Sequence, residues 1–367
     1  MYLQTPLNPS VVKPKVHFYF VDALRGIAAL WVVLYHAALD DRLGQLTSIL
    51  PSWLVLVVFH WGSLGVSIFF VLSGFVIAHS LREATINWSY FRSFCVRRLV
   101  RLTPPYYFSI LLTLGFALIA ARAKGEIFAP GGEPVSFSRF FTHLFYLQDI
   151  FQLKHFDDVY WTLCIEVQFY TIFCVLLGLS QLFKKSYHWQ FSRAIIFLPL
   201  TAIATLFPLE ILNHTGRPNY FLPLWYSFLL GVFAYWSWNK QLKSIYFYFY
   251  STLLLTIGIM KSSDFVIASV IVAILLLEAG RNNLMQTWLK QKSLQFLGKI
   301  SYSLYLSHTP ILGAVVFITS KILNASPWSD SITLLLGISC SILFSRVMWQ
   351  VFEKPSIKWS QNIKIFK

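Results

Sequence analysis

A chain of 367 residues, 56% hydrophobic and only 12% charged, cannot cover a water-facing surface as soluble domains do, since those carry about 25% charged residues. The formal net charge of +15 would suit nucleic acid, but the basic residues sit in short segments between apolar runs, which is the membrane pattern and excludes that partner. Aromatic residues make up 18%, with Phe suited to lipid and Trp and Tyr to the headgroup level.

The N-terminus carries Lys13 and Lys15 ahead of an apolar stretch. That stretch holds Asp22 and Arg25 and no small-residue cleavage site, so it reads as a retained first helix over 19–38. An ionisable residue inside a span is costly and therefore a candidate for function. This span has three, Asp22, Arg25 and His36. Arg25 and His36 differ by about 20° around the axis and are separated by about 16 Å along it, so they share a face. Asp22 precedes Arg25 by three residues, where a local ion pair offsets part of the burial cost. A purely structural pair with an interfacial His36 is the competing reading.

The short run Leu54–His60 is too brief to span. The next span, 63–81, mixes small and bulky residues from Gly62 through Ser73, Gly74 and Phe75, a pattern that means close helix packing or contact with a substrate. Arg97, Arg98 and Arg101 then precede Pro104, Pro105, Tyr106 and Tyr107 at the start of a span over 104–121. If helical, Arg98 and Arg101 are neighbours whose guanidiniums can grip phosphates in pairs; anchoring to anionic membrane lipids is the alternative.

The longest polar excursion, Ala123–Tyr160, contains Pro130, Gly131 and Gly132. Within it Phe140–Phe151 is too short to cross and suits an interfacial or re-entrant piece. The span over 160–182 begins with Tyr160 and Trp161 and carries Glu166 about 9 Å down its axis. That depth resembles the depth of His36, so Glu166 is placed to orient the histidine or raise its basicity; a glutamate satisfied by other buried polar groups is the competing reading. Spans over 193–211, 219–238, 244–260 and 263–279 follow with little polar content. The span over 300–322 bears Ser301, Tyr305 and His308 on one stripe, which suggests the wall of a cavity, with packing and hydrogen bonding alone as the competing reading. A last span covers 330–352. Four cysteines, Cys95, Cys164, Cys174 and Cys340, show no metal spacing and no disulfide framework.

The expected fold is therefore all-α, a polytopic bundle of about ten spanning helices. Twenty basic residues fall in one set of connecting segments and eight in the other, which puts both termini in the cytoplasm. The chain divides into an N-terminal tail (1–18), a transmembrane domain (19–352) and a C-terminal tail (353–367). No internal repeat or long linker is evident.

Seven segments in order resemble the acyltransferase-3 family of membrane acyltransferases, from about Asp22 to Pro355. They are Asp22-x-Leu24-Arg25-Gly26 with His36; Gly65-Val66 with Phe69 to Phe75; Arg98-x-x-Arg101-Leu102 with Pro104 and Tyr106; Trp161-Thr162-Leu163 with Glu166; the glycine-bearing Phe228–Tyr235 helix; Ile300 to Leu306 with His308 and Pro310; and Glu353-Lys354-Pro355. Pro104-Pro105 departs from the single proline typical of the family. Few residues follow the last span, so the hydrolase-like domain that some members carry is not expected in this chain.

The resemblance implies transfer of an acyl group, often acetyl, from cytoplasmic acyl-CoA to a hydroxyl of a carbohydrate or glycolipid acceptor. It implies a bacterial inner-membrane protein that uses acyl-CoA as co-substrate and needs no metal or redox cofactor. On this reading Arg25, Arg98 and Arg101 bind the anionic donor. His36 is the general base or carries a transient acyl group, with Glu166 in support. Ser73, Trp161, Tyr305 and His308 line the cavity. The rival class is a transporter exporting a small hydroxylated metabolite, against which the lack of an inverted repeat weighs. A lipid-linked donor and a surface-polysaccharide polymerase or ligase are further alternatives.

Overall fold

The computed structural model describes residues 17–188, 191–212 and 218–363; Lys13, Lys15, Arg217, Lys364 and Lys367 of the charge argument lie outside the described residues. Within them the chain is all-helical. The helices are α1 (Tyr19–Ala38), α2 (Gly44–Ile49), α3 (Ser52–Val58), α4 (Gly65–Ser80), α5 (Trp88–Lys124), α6 (Phe137–Leu144), α7 (Trp161–Tyr187), α8 (Ser192–Thr205), α9 (Trp225–Trp238), α10 (Ser244–Met260), α11 (Asp264–Arg281), α12 (Lys292–Ile322), α13 (Pro327–Met348) and α14 (Lys354–Asn362). A π-helical turn, Trp349–Glu353, joins the last two.

Helices occupy all ten positions read as spans. Six continuous helical runs are long and apolar enough to cross a bilayer: Tyr19–Asp41, Ser52–Ser80, Trp88–Lys124, Asp158–Tyr187, Lys292–Ile322 and Pro327–Asn362. The chain is thus a multi-pass membrane protein. Of the other four, α8, α9 and α10 are shorter, and α11 carries Asp264, Glu278 and Arg281. Within the described part of the C-terminal segment, α14 packs along α5, and Arg97 Nε donates to the Ile363 carbonyl at 2.7 Å.

Two of the helix crossings bring backbones together at paired glycines. In α1 and α12, a Cβ on Gly26 would stand 2.6 Å from the Gly298 nitrogen, and one on Gly298 would stand 2.1 Å from the Asp22 carbonyl oxygen. In α4 and α9, a Cβ on Gly74 would stand 1.9 Å from Phe228 O, and one on Gly231 would stand 1.9 Å from Val71 O. Backbones meet there with no side chain between them, the way helices associate where lipid offers no hydrophobic drive.

Helix α5 differs from the expected loop and span. It runs unbroken for 37 residues through the arginines and both prolines. At about 55 Å it is longer than the roughly 30 Å hydrocarbon core of a bilayer. Pro105 has no N–H to give the Arg101 carbonyl, and Ser356 Oγ donates to that oxygen instead at 2.9 Å. The helix starts at Asn87, whose side chain accepts from Tyr90 N, and stops at Gly125 with φ of 70°.

Residues 126–160 fold into a lobe between α5 and α7. Arg139, 2% exposed, is its hub. Its guanidinium donates to five carbonyls, those of Lys154, Glu133, Pro130 and His155 at 2.6 Å and Pro134 at 3.3 Å, and lies 4.5 Å from the Phe156 ring centre. Buried His143 donates from Nδ1 to Arg139 O at 2.7 Å and accepts the Phe156 N–H at Nε2 at 3.2 Å. The lobe is tied to α12, because Asp157 accepts from Thr309 Oγ1 and the Val159 carbonyl accepts from Tyr305 Oη at 3.2 Å.

Candidate active site

Helices α1, α4, α5, α7 and α12 and the turn after α13 enclose a cavity of about 550 Å³. Its mouth is bordered by His17 and Tyr19 from the start of α1 and by Ile357 from α14, so both described ends of the chain lie at this end of the bundle. Arg25 comes from α1, Arg98 and Arg101 from α5, and Lys299 from α12. Asp22, Glu166 and Glu353 supply the negative charge. Deeper in, the wall turns apolar, with Val66, Phe69, Phe70 and Leu163 around Thr162 and Tyr305.

The carboxylates are already engaged. Asp22 lies 3.1 Å from His17 Nε2. Glu166 Oε1 accepts from Ser73 Oγ at 2.7 Å and from Tyr170 Oη. Glu353 Oε2 accepts from Ser303 N at 3.2 Å and Ser303 Oγ at 2.5 Å, reaching α12 from the π-helical turn. The guanidiniums are not. Arg98 rests on aromatic faces, 4.5 Å from the centre of Tyr170 and 5.6 Å from that of Phe94. Among the described residues no side chain or carbonyl forms a hydrogen bond or ion pair with the guanidinium of Arg25, Arg98 or Arg101. Three half-buried cations facing one cavity repel each other and lose hydration. An anion bound between them would offset both costs through charge-assisted, bidentate bonds.

His36 and His308 meet above this cavity. His36 Nδ1 lies 2.9 Å from the Val32 carbonyl and 3.2 Å from His308 Nε2. His308 is fully buried, with Nδ1 3.0 Å from the Leu304 carbonyl. Tyr305 stands at the boundary. It lines the cavity, donates to Val159 O, bonds Thr162 Oγ1 at 2.8 Å, and has its ring centre 6.1 Å from that of His308.

Arg25, Arg98, Arg101, Ser73, Glu166 and Tyr305 therefore converge on one cavity. Two expectations need revision. Glu166 was placed beside His36 by depth, but depth does not fix rotation about the helix axis, and α7 turns Glu166 toward Ser73 and Tyr170 while His36 pairs with His308. Trp161 and His308 were expected in the lining; instead Trp161 packs edge-on against Phe70, and His308 is buried at the α1–α12 contact. Tyr170, Ser303 and Glu353 were missed as site residues. Tyr170 carried a signal, since it follows Glu166 by one helical turn.

A family model for the acyltransferase domain of acyltransferase-3 proteins matches residues 18–346. The chain is 32% identical over 194 residues to a putative peptidoglycan O-acetyltransferase, YrhL, of Bacillus subtilis, a match covering 47% of the chain and 26% of that protein. It is 25% identical over 376 residues to the O-acetyltransferase OatA of Staphylococcus aureus, covering 91% of the chain and 56% of OatA. The chain thus spans about half of OatA and less of YrhL. No solved structure matches it.

Proposed function

The chain belongs to the acyltransferase-3 family, and on that premise we propose that it is an integral membrane O-acetyltransferase of a surface glycan, using cytoplasmic acetyl-CoA as donor. The relatives' names support O-acetylation, and one names peptidoglycan, an acceptor rich in hydroxyls. The observation that carries the donor is the set of three guanidiniums around one cavity, none with a hydrogen bond or ion pair among the described residues. The phosphates of coenzyme A supply the missing anions. The apolar depth of the cavity suits the pantetheine arm, which would present the thioester near Tyr305 and the histidine pair. With the cavity mouth cytoplasmic, both termini are cytoplasmic, the lobe 126–160 is external, and about ten helices cross the membrane in agreement with the basic-residue bias.

In this reading His36 takes the proton of the acceptor hydroxyl as its oxygen attacks the thioester carbonyl. The C–S bond breaks and CoA leaves as a thiolate that takes up a proton. Such base catalysis contributes typically about 10²–10⁴ in rate. The test is single-turnover acetyl transfer from acetyl-CoA to a glycan acceptor by purified protein, with free thiol release followed in parallel. His36→Ala should bind acetyl-CoA as wild type does and lose nearly all transfer. Transfer at the wild-type rate would remove His36 from the chemistry, and wild-type protein that neither binds acetyl-CoA nor releases thiol would favour the transporter.

A further inference from the structure

We propose that His308 is the positioning residue of the site, holding His36 in one neutral tautomer and stabilising the charge that develops on it during transfer; the proposal rests on the reading that His36 takes the acceptor's proton. Its basis is a chain of three contacts in which each end is a carbonyl. A carbonyl oxygen only accepts, so the nitrogen facing it must carry hydrogen. His308 Nδ1 faces Leu304 O at 3.0 Å and is therefore protonated. In neutral imidazole the other nitrogen then holds the lone pair, so His308 Nε2 is an acceptor. His36 Nδ1 faces Val32 O at 2.9 Å and is protonated by the same rule. The two assignments fit where the rings meet: His36 Nδ1–H, shared with Val32 O, points at the lone pair on His308 Nε2 at 3.2 Å. Any other pair of neutral tautomers sets a lone pair against a carbonyl.

Two consequences follow for His36. Its lone pair lies on Nε2, the nitrogen directed away from the backbone of its own helix. When Nε2 accepts a proton, the positive imidazolium keeps Nδ1–H against an acceptor already in place, so no group has to reorient as charge develops. A carboxylate does this work in serine-hydrolase triads. Here a fully buried neutral ring does it, which avoids a fixed charge within the bundle. The contact is rigidly framed, because Val32 and Leu304 sit on α1 and α12, whose backbones touch at Gly26 and Gly298.

The experiment compares His308→Gln with His308→Asn. Gln places its side-chain oxygen near the position of Nε2 and can accept from His36, whereas Asn reaches only the position of Nδ1 and serves Leu304 O. A role in packing would rank the two alike. The expected result is a fall in kcat of about 10²-fold or more for His308→Asn and His308→Ala, within the range by which orienting groups act. The acetyl-CoA KM should stay unchanged, and His308→Gln should recover to within about tenfold of wild type on the same scale. ¹⁵N spectra of histidine-labelled protein should show the His36 signal, identified by its loss in His36→Ala, as the Nδ1–H tautomer in wild type and His308→Gln and as a mixture in His308→Ala. Equal impairment of Gln and Asn with an unchanged tautomer signal overturns the proposal. So does full activity of His308→Ala while His36→Ala is inactive. If His36→Ala itself is active, the underlying reading of His36 fails first, and the two failures are told apart by that single control.

Discussion

Arg139 is the residue whose loss the structure predicts to be most damaging away from the cavity. Its guanidinium holds five carbonyls drawn from both arms of the 126–160 lobe, four of them at 2.6 Å. A hydrogen bond to a charged group contributes about 1.5–3 kcal/mol. Because one planar fork ties these five carbonyls together, Arg139→Ala should open the lobe instead of merely weakening it. Lysine should not rescue, since a single ammonium with three donors cannot reach carbonyls spread around a planar fork. The assay is amide hydrogen exchange of purified protein in detergent. In Arg139→Ala, amides of 127–157 should lose protection by about 10²-fold or more, the equivalent of roughly 3 kcal/mol, while α1 and α12 stay protected. Transfer should fall as well, because Asp157 and Val159 of this lobe bond Thr309 and Tyr305 on either side of His308. Wild-type protection of 127–157 in Arg139→Ala would refute the reasoning.

The remaining predictions test other parts of the molecule. Arg98→Ala and Arg101→Ala should each weaken acetyl-CoA binding by about 10- to 150-fold, through lost charge-assisted contacts of about 1.5–3 kcal/mol; isothermal titration in detergent reads it, and an unchanged affinity in both would make these arginines membrane anchors only. Gly74→Ala should lower the melting temperature sharply, because its new Cβ meets Phe228 O at 1.9 Å, whereas Gly115→Ala, with nothing within 4 Å, should be neutral or slightly stabilising. Burial, with smaller contributions from the His155 and Arg139 charges, lowers the His143 pKa from 6.5 to about 4, against a weaker opposing effect of its bond to the Arg139 carbonyl. The unfolded lobe therefore binds this proton first, so stability of up to about 3 kcal/mol is present above pH 6.5 and is lost as pH falls toward 4. Exchange of 127–157 should accelerate across that window, and His143→Gln should flatten the dependence; an identical slope in the variant would assign it to other groups.

Composition and apolar run length alone determined that this is an all-helical membrane protein with a helix on each of the ten long apolar runs, since a lipid environment forces every span to satisfy its own backbone. The first helix, read as 19–38, forms over those same residues. Periodicity also put Ser301 and Tyr305 on a cavity wall, because a polar stripe on an apolar helix has few other places to go. The sequence placed the arginines ahead of a span, but only the folded chain carried α5 unbroken through two prolines, because the carbonyl freed by Pro105 finds its donor in Ser356, 255 positions away. Pairing was likewise a tertiary matter. Depth along an axis follows from counting residues, but which neighbour a side chain meets depends on how helices rotate against one another, and backbone contacts at glycines such as Gly26 and Gly298 set that rotation. So Glu166, at the expected position on its helix, turned to Ser73 and Tyr170, while His36 found His308, 272 residues on. Arg139 was one of eight outward charges in the sequence; it became the hub of a lobe because five carbonyls from separated turns converge on it, and no local pattern records a convergence of backbone.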